Sequence, residues 1–134
     1  MEKQMKDILA RTLWGEARSE GFLGMKAVAN VIVNRADRPS WWGRDIESVC
    51  RKKWQFSCWN ENDPNLPKLL TVTDADPQFQ IALHIASLVN NDALEDITNG
   101  ATHYFVKNMK KPPAWAEGKK PCAEIGAHVF YKDV

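Results

Sequence analysis

With 134 residues, 44% of them apolar and 26% charged, the chain has room for one hydrophobic core, and residues 1–134 read as a single domain. Eighteen basic against 17 acidic residues leave a net charge of +1, so no global field argues for nucleic acid or an anionic membrane as partner. Apolar residues never run on for the ~18 positions a membrane helix needs, and three scattered cysteines (Cys50, Cys58, Cys122) suggest neither a disulfide framework nor a zinc site.

The first helix is expected from about Lys3 to Ala17, where Met5, Leu9 and Leu13 recur at spacing four, with Gly15 weakening it near its end and Gly21 helping to stop it. A second helix, about Leu23 to Arg35, is apolar nearly all round (Ala27, Val28, Ala29, Val31, Ile32, Val33), the pattern of a buried central helix. Asp37, Arg38 and Pro39 end it. A short helix follows near Asp45 to Lys52, with Ile46 and Val49 inward. The aromatic block WQFSCW, Trp54 to Trp59, reads as extended segment or loop, and Asn60 to Leu69 as loop from its prolines and Asn/Asp content. Asp76 and Pro77 open a third long helix, which fades at Asn90, Asn91 and Asp92. A turn at Asn99 and Gly100 precedes an extended aromatic run, residues 107–121 read as loop, and AHVFYKD alternates like a short strand. Three main helices and a few late strands make an α+β domain.

Glu16 is the first residue of chemical interest. It follows Leu13 by three and Leu9 by seven, so it shares the apolar face of its helix. Burial there disfavours the charged form, and a carboxyl still protonated near neutral pH is what a glycosidase uses on a leaving oxygen. The competing reading is a helix-end glutamate that reaches water or pairs with Arg18 or Arg35. The WQFSCW block sets Gln55 and Ser57 between aromatic faces, a sugar-binding composition that a buried aromatic cluster would share. His103 and Tyr104 lie in THYF. His103, His84 and His128 are far apart, without metal-ligand spacing. The lysines around Trp115 (Lys107, Lys110, Lys111, Lys119, Lys120) read first as a solvated loop.

The stretch Leu9 to Arg35 resembles the opening motif of the SleB-like cell-wall hydrolases, the catalytic domains of spore cortex-lytic enzymes and related phage and bacterial lysins. Their pattern is (A/G)EARGE, then GxxAVAxV(I/V)xNR. It stands here as Gly15 to Glu20 and Gly24 to Arg35. Gln55 to Ser57, Asn99 to Phe105, Pro113 to Ala116 and Ile125 to Tyr131 are similar to later elements of the family, in order. The resemblance implies a mainly helical, lysozyme-like fold related to lytic transglycosylases, with Glu16 catalytic. Ser19 stands where the family often has Gly, and no peptidoglycan-binding repeat precedes the domain, which leans toward a phage endolysin or minimal lysin.

The expected activity is cleavage of the β-1,4 bond between N-acetylmuramic acid and N-acetylglucosamine, with Gln55, Ser57, Tyr104, Trp115 and His103 lining the sugar cleft. One carboxyl can serve as acid and then base for attack by the muramic 6-hydroxyl; Glu20, Glu47, Glu61 and Asp63 are the candidates for a second. No cofactor or metal is expected. The partner is the peptidoglycan glycan strand, not nucleic acid or a membrane, and the chain is read as a monomer. It is read as made in the cytoplasm without a signal peptide and reaching the wall once a separate protein opens the membrane. A noncatalytic wall-binding module, a nucleic-acid-binding domain and a stem-peptide amidase are the rival readings.

Overall fold

The computed structural model describes residues 2–52 and 55–134. Helix α1, Glu2–Ala17, buries Leu9, Ala10, Thr12 and Leu13, the apolar face expected for it. A 3-10 turn, Arg18–Glu20, leads into α2, Gly21–Asp37, with Gly21 at φ +70° at the joint. Met25, Ala27, Val28, Ala29, Val31 and Ile32 of α2 are sealed from solvent, so α2 is the central helix its sequence describes. It packs against α1, the late sheet and α5, Pro77–Asn90. The Asp76 carboxylate accepts the N–H groups of Gln78 and Phe79 at the start of α5, satisfying two donors that have no partner within the helix.

Between α2 and α5 the chain makes shorter pieces. Helix α3, Ile46–Arg51, opens with a reciprocal cap: Ser48 N–H donates to the Asp45 carboxylate at 2.8 Å, and Asp45 N–H donates to the Ser48 hydroxyl at 3.1 Å. Ser57–Trp59 is a 3-10 turn rather than an extended segment; Trp54 of the same aromatic block lies outside the described residues. Asn60 to Leu69 is not loop throughout. Helix α4, Leu66–Thr71, begins inside it, because Pro67 occupies the first turn, where a missing N–H costs no hydrogen bond, and Leu69 is its fully buried anchor.

Strands β1 (His103–Val106), β2 (Ala123–Ile125) and β3 (His128–Tyr131) form an antiparallel sheet in the order β1-β3-β2. Asn99 and Gly100, both at positive φ, make the turn that delivers β1. The register pairs His103 with Tyr131 and Tyr104 with Phe130. Alternation then sets Tyr104, His128 and Phe130 on one face and His103, Phe105 and Tyr131 on the other. Phe130 closes a small core with Ala27 and Val31 of α2, so the Tyr104 face is the one turned to the helices. Among the described residues no helix is long and apolar enough to cross a membrane.

Candidate active site

Glu16 occupies the last turn of α1, beside the chain's one glycine in that helix. Gly15 brings α1 close to the 3-10 turn: a Cβ there would lie 2.8 Å from Cys58 Cβ and 2.9 Å from its Sγ. The turn is fastened one helical turn earlier by Trp59 Nε1–H, which donates to the buried Thr12 hydroxyl at 2.9 Å. Cys58 therefore sits against the last turn of α1 beside Glu16, and its thiol and backbone N–H favour the charged form of that carboxyl. From the sheet, the Tyr104 hydroxyl donates to Glu16 Oε1 at 3.3 Å.

This setting shifts the acid. Burial raises the Glu16 pKa, the negative charge of Asp63 adds to the rise, and the donors from Cys58 and Tyr104 oppose it. Burial, the Glu16 charge and the hydrogen bond to it push the Tyr104 phenol well above its ordinary range, so it remains a donor. Neither arginine weighed as a partner pairs with Glu16. Arg18 lies over the Trp14 ring and donates to Trp14 O and Asn65 Oδ1, while Arg35 donates to Thr102 O at 2.7 Å. Among the described residues no ion pair involves Glu16. The result is a half-buried carboxyl with its proton held tighter than in water.

The other site residues expected from sequence divide. Tyr104 joins Glu16. Ser57 is exposed beside Cys58. Gln55 does not face outward: its amide nitrogen donates to Val49 O at 2.6 Å and Trp42 O at 3.3 Å, holding the end of α3. His103 and Trp115 lie on the other sheet face, away from Glu16. Trp115, in the 3-10 turn Ala114–Ala116, meets His103, Phe105 and Tyr131 at ring-centroid distances of 4.9, 5.8 and 5.4 Å. His103 also meets Trp42 at 5.8 Å and pairs through Nδ1 with the Thr102 hydroxyl at 2.9 Å. These two aromatics belong to an outer packing layer; alternation along HYF, with the β3 pairing, is what separates them from Tyr104.

The candidate second carboxylates also divide. Glu47 accepts from Gln4, 12 residues back along α1 from Glu16, or about 18 Å at the rise of a helix. Glu20 Oε1 accepts Ala127 N–H at 2.8 Å and lies 3.7 Å from His128 Nδ1, tying α2's start to the β2–β3 turn. Glu61 is exposed. The charge of Asp63 acts on Glu16, and its Oδ1 is steadied by Asn65 N–H at 2.8 Å. Sequence reasoning weighed Cys58 as a disulfide or zinc residue and gave it no place in the site; the signal for it was a glycine directly before the acid, which marks a close approach. Among the described residues no group of His, Cys, Asp and Glu side chains could hold a metal ion.

Comparison with known proteins places this geometry in context. Residues 19–131 match the profile of the family described as Cell Wall Hydrolase. The crystal structure of the catalytic domain of the Bacillus cereus SleB protein superposes with a TM-score of 0.72 at 22% identity, covering 97% of this chain and 91% of that one. The catalytic domain of the germination-specific lytic transglycosylase SleB from Bacillus anthracis gives a TM-score of 0.68 at 24% identity, covering 97% and 95%. Both likenesses establish the α+β fold. No curated protein matches the chain.

Proposed function

The chain belongs to the Cell Wall Hydrolase family, and on that premise we propose that it cuts the β-1,4 bond between N-acetylmuramic acid and N-acetylglucosamine in peptidoglycan, with Glu16 as general acid. The family profile begins three positions after Glu16, so the assignment of this residue rests on its geometry. The observation that carries it is a half-buried carboxyl, raised in pKa by burial, accepting from the Tyr104 hydroxyl beside Cys58, and without a salt-bridge partner among the described residues.

In this reading Glu16 protonates the glycosidic oxygen as the C1–O bond breaks, leaving positive charge on the muramic ring. The Glu16 carboxylate then takes the proton of the muramic 6-hydroxyl as that oxygen bonds to C1, closing a 1,6-anhydro ring and restoring the acid. Tyr104 and Cys58 steady the carboxylate between the two steps. The route needs one carboxyl, and the fold shared with the Bacillus anthracis lytic transglycosylase favours it.

A second reading has its own support. Asp63 is close enough for its charge to act on Glu16, and a second carboxylate could direct water to C1, leaving reducing ends. Mass spectrometry of borohydride-treated muropeptides separates the two: anhydro products are about 20 Da lighter than reduced hydrolytic ones, lacking one water and two hydrogens. The anhydro product is expected. For the acid itself, Glu16→Gln should lower turbidity loss of purified peptidoglycan by about 10²–10⁴-fold with the circular dichroism spectrum unchanged. A folded variant lysing at the native rate removes Glu16 from the role; a pure binding module would lose nothing.

A further inference from the structure

We infer that Cys58 is a positioning residue for the Glu16 carboxyl, and that Gly15 is glycine so that Cys58 can reach it. The inference rests on the reading of Glu16 as the acid. Three observations converge. Any Cβ at residue 15 would fall 2.8 Å from Cys58 Cβ, 2.9 Å from its Sγ and 3.1 Å from Leu69 Cδ1, so only glycine lets the turn lie this close to α1. The contact is built, because the same turn is bolted to α1 by the Trp59–Thr12 hydrogen bond and Cys58 is 1% exposed. Finally, the thiol and the backbone N–H of Cys58, packed one residue from Glu16, both favour the charged form of its carboxyl.

The thiol suits this position chemically. Burial and the Glu16 charge push its pKa up, so it stays protonated and keeps its S–H available to donate. The ionisable groups acting on Glu16 come from three elements: Tyr104 from β1, Cys58 from the 3-10 turn and Asp63 from the loop before α4. The two arginines weighed as partners of Glu16, Arg18 and Arg35, are turned to Asn65 and Thr102. Cys58 and Tyr104 therefore approach with donors, and Asp63 opposes them with charge. The Cys58 donors limit how far burial raises the acid, leaving it able to give its proton in the first step and to hold the carboxylate for the second.

The test is to follow Glu16 itself, by the carboxyl carbon-13 shift of the labelled full chain against pH, alongside lysis of purified peptidoglycan. Cys58→Ala should raise the Glu16 titration midpoint, move the alkaline limit of lysis the same way, and cut the lytic rate by about tenfold. Cys58→Ser keeps a donor and should return both close to native. Gly15→Ala, with Cys58 intact, should push the turn away and reproduce the Cys58→Ala titration; it carries the test if Cys58→Ala does not fold. A folded Cys58→Ala protein with native Glu16 titration and native pH limits overturns the inference. A fully active Glu16→Gln protein would sink the catalytic reading instead, and the titration would still decide whether Cys58 holds the carboxyl.

Discussion

His103 and Tyr104 are neighbours in the chain, yet they belong to two different parts of the molecule. Tyr104 looks toward the helices, where its hydroxyl reaches Glu16 and its ring lies 5.6 Å from that of Phe130. His103 looks the other way, into a layer of Trp42, Trp115, Phe105 and Tyr131. Both faces are aromatic, and composition does not tell them apart. The inner face ends in a hydroxyl aimed at an acid, whereas the outer face ends in ring edges aimed at one another. An aromatic residue near a sugar site is thus a platform or a wall according to which side of the pleat it occupies.

Removing one inner hydroxyl should have the largest effect. Tyr104→Phe keeps the ring and deletes the donor to Glu16, so lysis should fall by about tenfold and thermal stability should move little. Because that donor favours the carboxylate, its loss should also raise the Glu16 pKa. Native lysis in Tyr104→Phe would erase the functional difference between the faces.

On the outer face the expectation reverses. Trp115→Ala removes a half-buried ring from contact with three others and should cost about 2 kcal/mol of stability, read by urea denaturation. The lytic rate per folded molecule should remain within about twofold of native, since the ring does not approach Glu16. A specific loss of substrate affinity in a fully stable variant would return Trp115 to the glycan site.

A smaller effect concerns protons. Burial, and then the nearby Arg35 charge, pull the His103 pKa from 6.5 down to about 4. Between these values the unfolded chain binds a proton that the folded chain refuses, so stability rises with pH. The contribution of His103 is complete above about 6.5 and lost as pH falls toward about 4. Tm measured at several pH values should therefore decline less on acidification in His103→Gln than in the native protein. The depressed His128, on the inner face, keeps part of the slope in both. Equal slopes would mean that His103 is not held neutral.

Much of the fold was legible because its signals are local. The cap and proline at Asp76 and Pro77 start α5 where they stand, the unbroken apolar run makes α2 central, and Asn99 with Gly100 turns the chain into β1. Spacing put Glu16 on the apolar face of its helix but left a solvent-reaching or Arg-paired glutamate open, and the resemblance of Gly15 to Glu20 to the family motif singled it out. What escaped depends on pairing at a distance. The face each residue of HYF takes is settled by β3, more than twenty positions later in the chain, and Gln55 turns inward because carbonyls of Trp42 and Val49 are there to receive it. Helix α4 was read as loop because prolines were counted without asking whether they sat in a first turn. Cys58 gained its meaning only from Gly15, 43 positions away, across a contact that no periodicity encodes.

The hydrogen bond between Glu16 and Tyr104 spans 88 positions of the chain. At a synthesis rate of about 5–20 residues per second, roughly 4–18 s separate the appearance of the two. Tyr104 waits longer still, because among the described residues β1 pairs with β3 alone, and β3 follows β1 and β2 along the chain. Until then the growing chain carries an acid at the end of a helix without the hydroxyl that steadies it. Order of manufacture thus acts as a delay: the glutamate is made 88 positions before the hydroxyl that steadies it, and its setting closes only after β3 has followed.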